Sequence, residues 1–178
     1  MKQLVSLTFF LFFLSLHAQS TNDSLPKEEP KIPYDKAFSP GIIFQDDVFA
    51  DINLFIGSTI ANKKNYIPIA GAIGTRMGFE TNFSKDNFTI APKIGYELSV
   101  EIISLRLSAL NYFQQEKSEF RVLPEIGLTL GGWADLTYGY GIQINDANLH
   151  NVAQHRVALT FNLNKQFTKD VFDYFFKN

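Results

Sequence analysis

From Phe44 onward the chain alternates apolar and polar residues in runs of about ten, separated by short polar segments. A period of two puts successive side chains on opposite faces of a strand. The runs predict strands at 44–57, 72–83, 88–99, 103–112, 119–130, 133–144 and 156–164. The connections Ser84-Lys85-Asp86-Asn87, Gln114-Gln115-Glu116-Lys117, Gly131-Gly132 and Asn145-Asp146-Ala147-Asn148 have turn chemistry. An even strand count, usual for bacterial membrane barrels, needs one more strand. Segment 40–45 and the tail at 167–176 are both open to that role. The tail also fits a short amphipathic helix, since Phe167, Val171 and Phe175 stand four apart.

One face of these strands is nearly all apolar, as in Leu54, Met77, Ile94, Leu107, Ile126, Tyr138 and Leu159. The opposite face carries Arg76, Lys93, Arg106, Arg121 and Arg156 together with Asp51, Glu80, Glu97, Glu125 and Asp135. Asp46, Asp47 and Glu119 are set apart as strand-end acids. Two architectures share this alternation. A soluble sandwich or lipocalin-like barrel turns the apolar face inward. A membrane barrel turns it outward to lipid and the charges inward.

Three features favour the membrane barrel. Gly74, Gly78, Gly95, Gly127, Gly139 and Gly141 lie on the charged face. Glycine gains nothing on a water-exposed strand, but makes room for long side chains inside a narrow barrel. The charges on that face balance, as a dry interior requires. Tyr96, Tyr112, Trp133, Tyr138 and Tyr140 lie toward strand ends, where amphipathic rings mark membrane–water boundaries. The expected fold is all-β: a closed, antiparallel, up-and-down barrel of about eight strands. Pro92 and Pro124 fall inside predicted strands, so a bulge is expected at each, re-aiming Lys93 and Glu125.

The two ends set the compartment and the domain limits. Lys2, the apolar run from Leu4 to Leu16 and Ala18 before Gln19 form a secretory signal layout over 1–18. Residues 19–40, with Pro26, Pro30, Pro33 and Pro40 among charges, read as a linker. The barrel then spans 41–166 and the tail 167–178. Localisation is expected to be the outer membrane, with the periplasm as the alternative. The chain has no cysteine, so it folds without disulfides and carries no thiol-linked lipid. Its net charge of -2 argues against a nucleic-acid partner. After the signal segment no run reaches the ~18 apolar residues of a membrane helix. The 18 phenylalanines and 7 tyrosines fit β structure at an interface.

Without cysteine there is no thiol catalysis and no zinc–thiolate site. His150 and His155 lack the spacing of a metal-binding helical pair. There is no nucleophile elbow, phosphate loop or dinucleotide fingerprint. No cofactor, metal or catalytic residue is expected. An acyl hydrolase using His155 and a serine on the outer rim is the enzymatic alternative. The inward cations either plug the barrel through ion pairs or line a path for anions. A barrel of this size leaves no aqueous channel, which favours the plug. The segment 58–70, with Lys63-Lys64-Asn65-Tyr66, reads as a surface connector. The expected partner is outer-membrane lipid; the sequence names no protein or glycan partner.

The segments Ile90-Ala91-Pro92-Lys93-Ile94-Gly95-Tyr96-Glu97, Pro124-Glu125-Ile126-Gly127-Leu128, Leu136-Thr137-Tyr138-Gly139-Tyr140 and His155-Arg156-Val157-Ala158-Leu159-Thr160-Phe161-Asn162-Leu163-Asn164 resemble small exported barrel proteins of Bacteroidota. The signal end His17-Ala18-Gln19-Ser20 is similar to exports of the same bacteria. The resemblance implies an outer-membrane barrel and no particular activity. More distantly the chain resembles the OmpA/OmpX-type barrels, in which the fold does not fix function.

Overall fold

Alternating strands joined by short turns pair with their chain neighbours as antiparallel hairpins. The computed structural model describes residues 35–62, 69–145 and 147–176, with side chains at all of these except 60–62 and 69. The signal segment, most of the linker and the Lys63–Tyr66 stretch lie outside the described residues. The strands are β1 (Asp35–Phe44), β2 (Val48–Asn62), β3 (Ile69–Asn82), β4 (Thr89–Val100), β5 (Ile103–Gln114), β6 (Lys117–Thr129), β7 (Ala134–Tyr140), β8 (Ile142–Gln143) and β9 (His155–Phe161). Helix α1 (Lys165–Phe176) follows.

Each strand from β1 to β6 pairs antiparallel with the next. Strand β6 pairs both β7 and β8, β7 pairs β9, and β9 returns to β1, closing the sheet. Ile126 faces Tyr138 and Val122 faces Ile142, so β8 continues the line of β7. The result is an eight-stranded, up-and-down antiparallel barrel with β8 as a short extra strand. The predicted strand 133–144 is interrupted at Gly141, whose N–H donates to Gln154 O at 2.7 Å instead.

The eighth strand is the N-terminal candidate, and it is longer than expected. β1 begins at Asp35, inside the segment assigned to the linker, and the turn Gln45-Asp46-Asp47 separates it from β2. Proline content is what hid it. Pro40 sits within β1, opposite Ile52 of β2. The same register toward β9 holds from Gly41↔Thr160 to Phe38↔Leu163, with a gap where Pro40 lacks a donor.

Pro92 and Pro124 behave alike, so the expected bulges do not form. Ile90↔Phe113 and Lys93↔Leu110 keep one register across Pro92. Arg121↔Gln143 and Glu125↔Gly139 do so across Pro124. Each proline leaves a gap in one ladder and shifts nothing, so Lys93 and Glu125 point inward by ordinary alternation.

The tail is a helix, starting at Lys165 rather than 167, and does not close the sheet. Asn164 caps it: its Oδ1 accepts from the N–H groups of Gln166 at 3.0 Å and Phe167 at 3.1 Å. Phe167 and Val171 are buried against Ala37, Phe55 and Ala72, with Leu130, Trp133 and Phe175 packed beside them. The β6–β7 turn next to α1 needs glycine. Gly132 has φ +80, and a Cβ there would stand 2.6 Å from Ala72 Cβ. The other end of the barrel is covered by segment 147–154. Val152 is buried there against a cluster that includes Ile43, Phe49, Leu110 and Leu123.

Candidate functional site: the charged barrel interior

Strand alternation sends all ten of the expected inner-face charges into the barrel, where each is at most 8% exposed. They sort into groups along the interior. Toward α1, Arg76 Nη1 meets Glu97 Oε2 at 2.5 Å. Arg106 Nε lies 3.1 Å from the same oxygen, and Arg106 Nη2 lies 2.6 Å from Asp135 Oδ2. Asn162 Nδ2 donates to Glu97 Oε1 at 3.1 Å and to Gly132 O at 2.7 Å, tying this group to the turn beneath α1.

The second group centres on Glu80, which is fully buried. Lys93 Nζ donates to Glu80 Oε1 at 2.9 Å and to Asp51 Oδ1 at 2.7 Å. Arg156 forks onto Glu80, with Nη1 and Nη2 each at 2.7 Å from one carboxylate oxygen. The Tyr112 hydroxyl donates to Glu80 Oε2 at 3.0 Å. Arg156 Nε is 3.6 Å from Glu125 Oε1. A bidentate guanidinium–carboxylate pair is strong and geometrically exacting. Room for it comes from Gly139: a Cβ there would stand 2.8 Å from Glu125 Cγ and 3.3 Å from Arg156 Cγ.

The third group fastens the covering segment. Arg121 Nη1 donates to Ala153 O at 2.5 Å and Nη2 to Val152 O at 3.2 Å. Arg121 Nε donates to Glu119 Oε1 at 2.6 Å. Glu119 Oε2 accepts from Ala147 N–H at 3.1 Å. Gln114 joins in, donating to His150 O at 2.7 Å and accepting from His150 N–H at 2.9 Å. Every cation of the interior therefore faces at least one carboxylate.

Tyr112 is no interface aromatic. It shares the inward parity of Arg106, is 1% exposed, packs edge-on to Phe49 and carries the Arg121 guanidinium 5.1 Å above its ring. Its position near a strand end was misleading; its parity was the usable signal. Glu119 belongs to the interior and is fully buried. It lies two residues from Arg121, on the same face, and that spacing could have found it. Among the described residues, six buried carboxylates, not five, thus face five buried cations.

The other aromatics lie outside or at the rim. Tyr96, Tyr138 and Tyr140 point outward and border an apolar groove of about 580 Å³ over β4–β7. Trp133 is half-buried under α1, ring to ring with Phe161 and Phe172. His155 lies on the outer wall between Tyr138, whose hydroxyl is 2.5 Å from Nδ1, and Tyr140. The hydrogen-bond partner of this ring is a phenol rather than a serine. No cluster with metal-ligand character occurs among the described residues.

The outer wall is the complement of the interior. Large apolar side chains stand exposed around it, among them Phe44, Ile94, Leu107, Ile126, Leu128 and Val157. Among the described residues, the only charged side chain facing outward from a strand is Lys36, at the start of β1. Comparison with protein-family models, curated proteins and solved structures finds no match. The class is therefore set by the chain's own geometry: a closed eight-stranded barrel, apolar outside, ion-paired inside and covered at both ends.

Proposed function

We propose that this chain is an exported transmembrane β-barrel of a bacterial outer membrane, with a plugged interior and a structural or surface-interaction role rather than a catalytic one. The carrying observation is the reversed polarity of the barrel: charge buried, apolar residues exposed on every strand. Soluble monomers rarely expose contiguous apolar patches beyond a few hundred Å². A bilayer accepts such a wall, and closure leaves no unpaired strand edge within it. The signal layout at 1–18 and the resemblance to small exported barrels of Bacteroidota support the same location.

Fractionation tests the proposal. The protein should stay with carbonate-washed envelopes, dissolve only in detergent and migrate differently on gels before and after boiling. Release by osmotic shock, without detergent, would indicate a soluble periplasmic domain instead. The paired interior carries its own expectation. Purified protein in planar bilayers should give no stable conductance, because Arg76, Arg106, Arg121 and Arg156 are all engaged by carboxylates. Reproducible ohmic steps would contradict the plug.

A further inference from the structure

Helix α1 has two apolar edges, and covering the barrel uses only one. The barrel-facing edge is Phe167, Val171 and Phe175. A second stripe runs through Lys165, Lys169, Phe172 and Phe176, spaced three and four apart and so aligned along the helix. All four are exposed, Phe176 by 68%. Phe172 packs at a tilt against Phe176 at 5.6 Å and edge-on to Trp133 at 5.0 Å. Trp133 in turn meets Phe161 of β9 at 5.6 Å. With the outward Leu163 and Phe38, this makes one apolar strip running from the barrel wall onto the helix.

Several contacts hold α1 in this orientation. Trp133 Nε1 donates to Thr168 Oγ1 at 3.1 Å. The Tyr174 hydroxyl donates to Glu101 Oε1 at 3.0 Å, and the same oxygen accepts from Ala70 N–H at 2.7 Å. The helix is thus pinned to the β4–β5 hairpin on one side and to the β6–β7 turn on the other. The Phe172–Phe176 stripe is a fixed surface.

We propose that this stripe is a lipid-interface anchor: α1 lies along the bilayer surface with Phe172, Phe176 and Trp133 at the acyl–headgroup boundary of one leaflet. The proposal rests on the membrane location proposed above. Continuity with the apolar wall selects lipid as the occupant. Lys165 and Lys169 on the same stripe can reach lipid phosphates while the phenylalanines dip below them. An amphipathic ring such as Trp133 is suited to that depth.

Trp133 is the only tryptophan in the chain, so its fluorescence reports on this site alone. The full chain is reconstituted in vesicles whose lipids carry bromine either near the headgroup or near the bilayer centre. Shallow bromines should quench Trp133 about twofold more strongly than deep ones. A control variant, Trp133→Phe with Leu107→Trp, puts the only indole near the middle of the apolar wall of β5 and should be quenched by deep bromines. If the control is quenched and Trp133 is not, or Trp133 responds more to deep bromines, the anchor is wrong and membrane insertion stands. If neither indole is quenched, membrane insertion itself fails. Phe172→Ser with Phe176→Ser should abolish the shallow quenching of Trp133 while leaving the heat-modifiable gel shift. Unchanged quenching in that variant would overturn the anchor.

Discussion

Replacing Glu80 by Gln is expected to destabilise the barrel by about 3–5 kcal/mol, the usual cost of removing one partner from a buried ion pair. Glu80 accepts from Lys93, from both terminal nitrogens of Arg156 and from Tyr112. The amide is nearly isosteric, so the loss reports charge rather than volume. Lys93 keeps Asp51, but Arg156 is left with the Tyr112 hydroxyl at 3.3 Å and Glu125 at 3.6 Å, both weaker contacts. Urea unfolding in lipid vesicles, followed by Trp133 fluorescence, measures the change. Adding Arg156→Met should recover part of the loss, because the stranded cation is then gone. A double variant as unstable as the sum of its singles would show that the pair is uncoupled.

Leu107→Arg should cost about 2–4 kcal/mol in the same vesicle assay, as a cation on the lipid side of a barrel wall does. Leu107 is 57% exposed, outward-facing and near the middle of β5. On a water-facing surface the same change falls within about 0.5 kcal/mol. The magnitude therefore separates a lipid-facing wall from a solvated one.

Most of the interior was legible from alternation, because a strand in a closed barrel has no freedom to turn one side chain independently of its neighbours. Arg76, Glu80, Lys93, Glu97, Arg121 and Glu125 all face inward as their parity requires. Parity was also right where position in the strand was not, at Tyr112 and Glu119. Alternation cannot show who pairs with whom. The fork of Arg156 onto Glu80 joins residues 76 apart in sequence through barrel closure. β1 is obscured in the sequence because its proline and neighbouring charges resemble linker composition. Pro40 and the prolines before the strand suggest a linker, yet Ala37, Ser39 and Ile43 alternate inward around Pro40. The bulges expected at Pro92 and Pro124 failed for the related reason that one missing donor need not shift a register. The helical option for the tail was visible in the spacing of Phe167, Val171 and Phe175. The second stripe of α1 takes meaning only once Trp133 and Phe161 are seen beside it.

The most direct test of the central claim is which solvent the apolar wall meets. The chain has no cysteine of its own, so single cysteines at Ile103, Leu105, Leu107 and Ala109 can each carry a spin label without a competing thiol. These four positions face outward along β5. In vesicles, labels there should collide with lipid-soluble oxygen and be shielded from a water-soluble paramagnetic complex, most strongly at Leu107 and Ala109, nearest the middle of the strand. Free access of the aqueous complex to all four would contradict the membrane barrel.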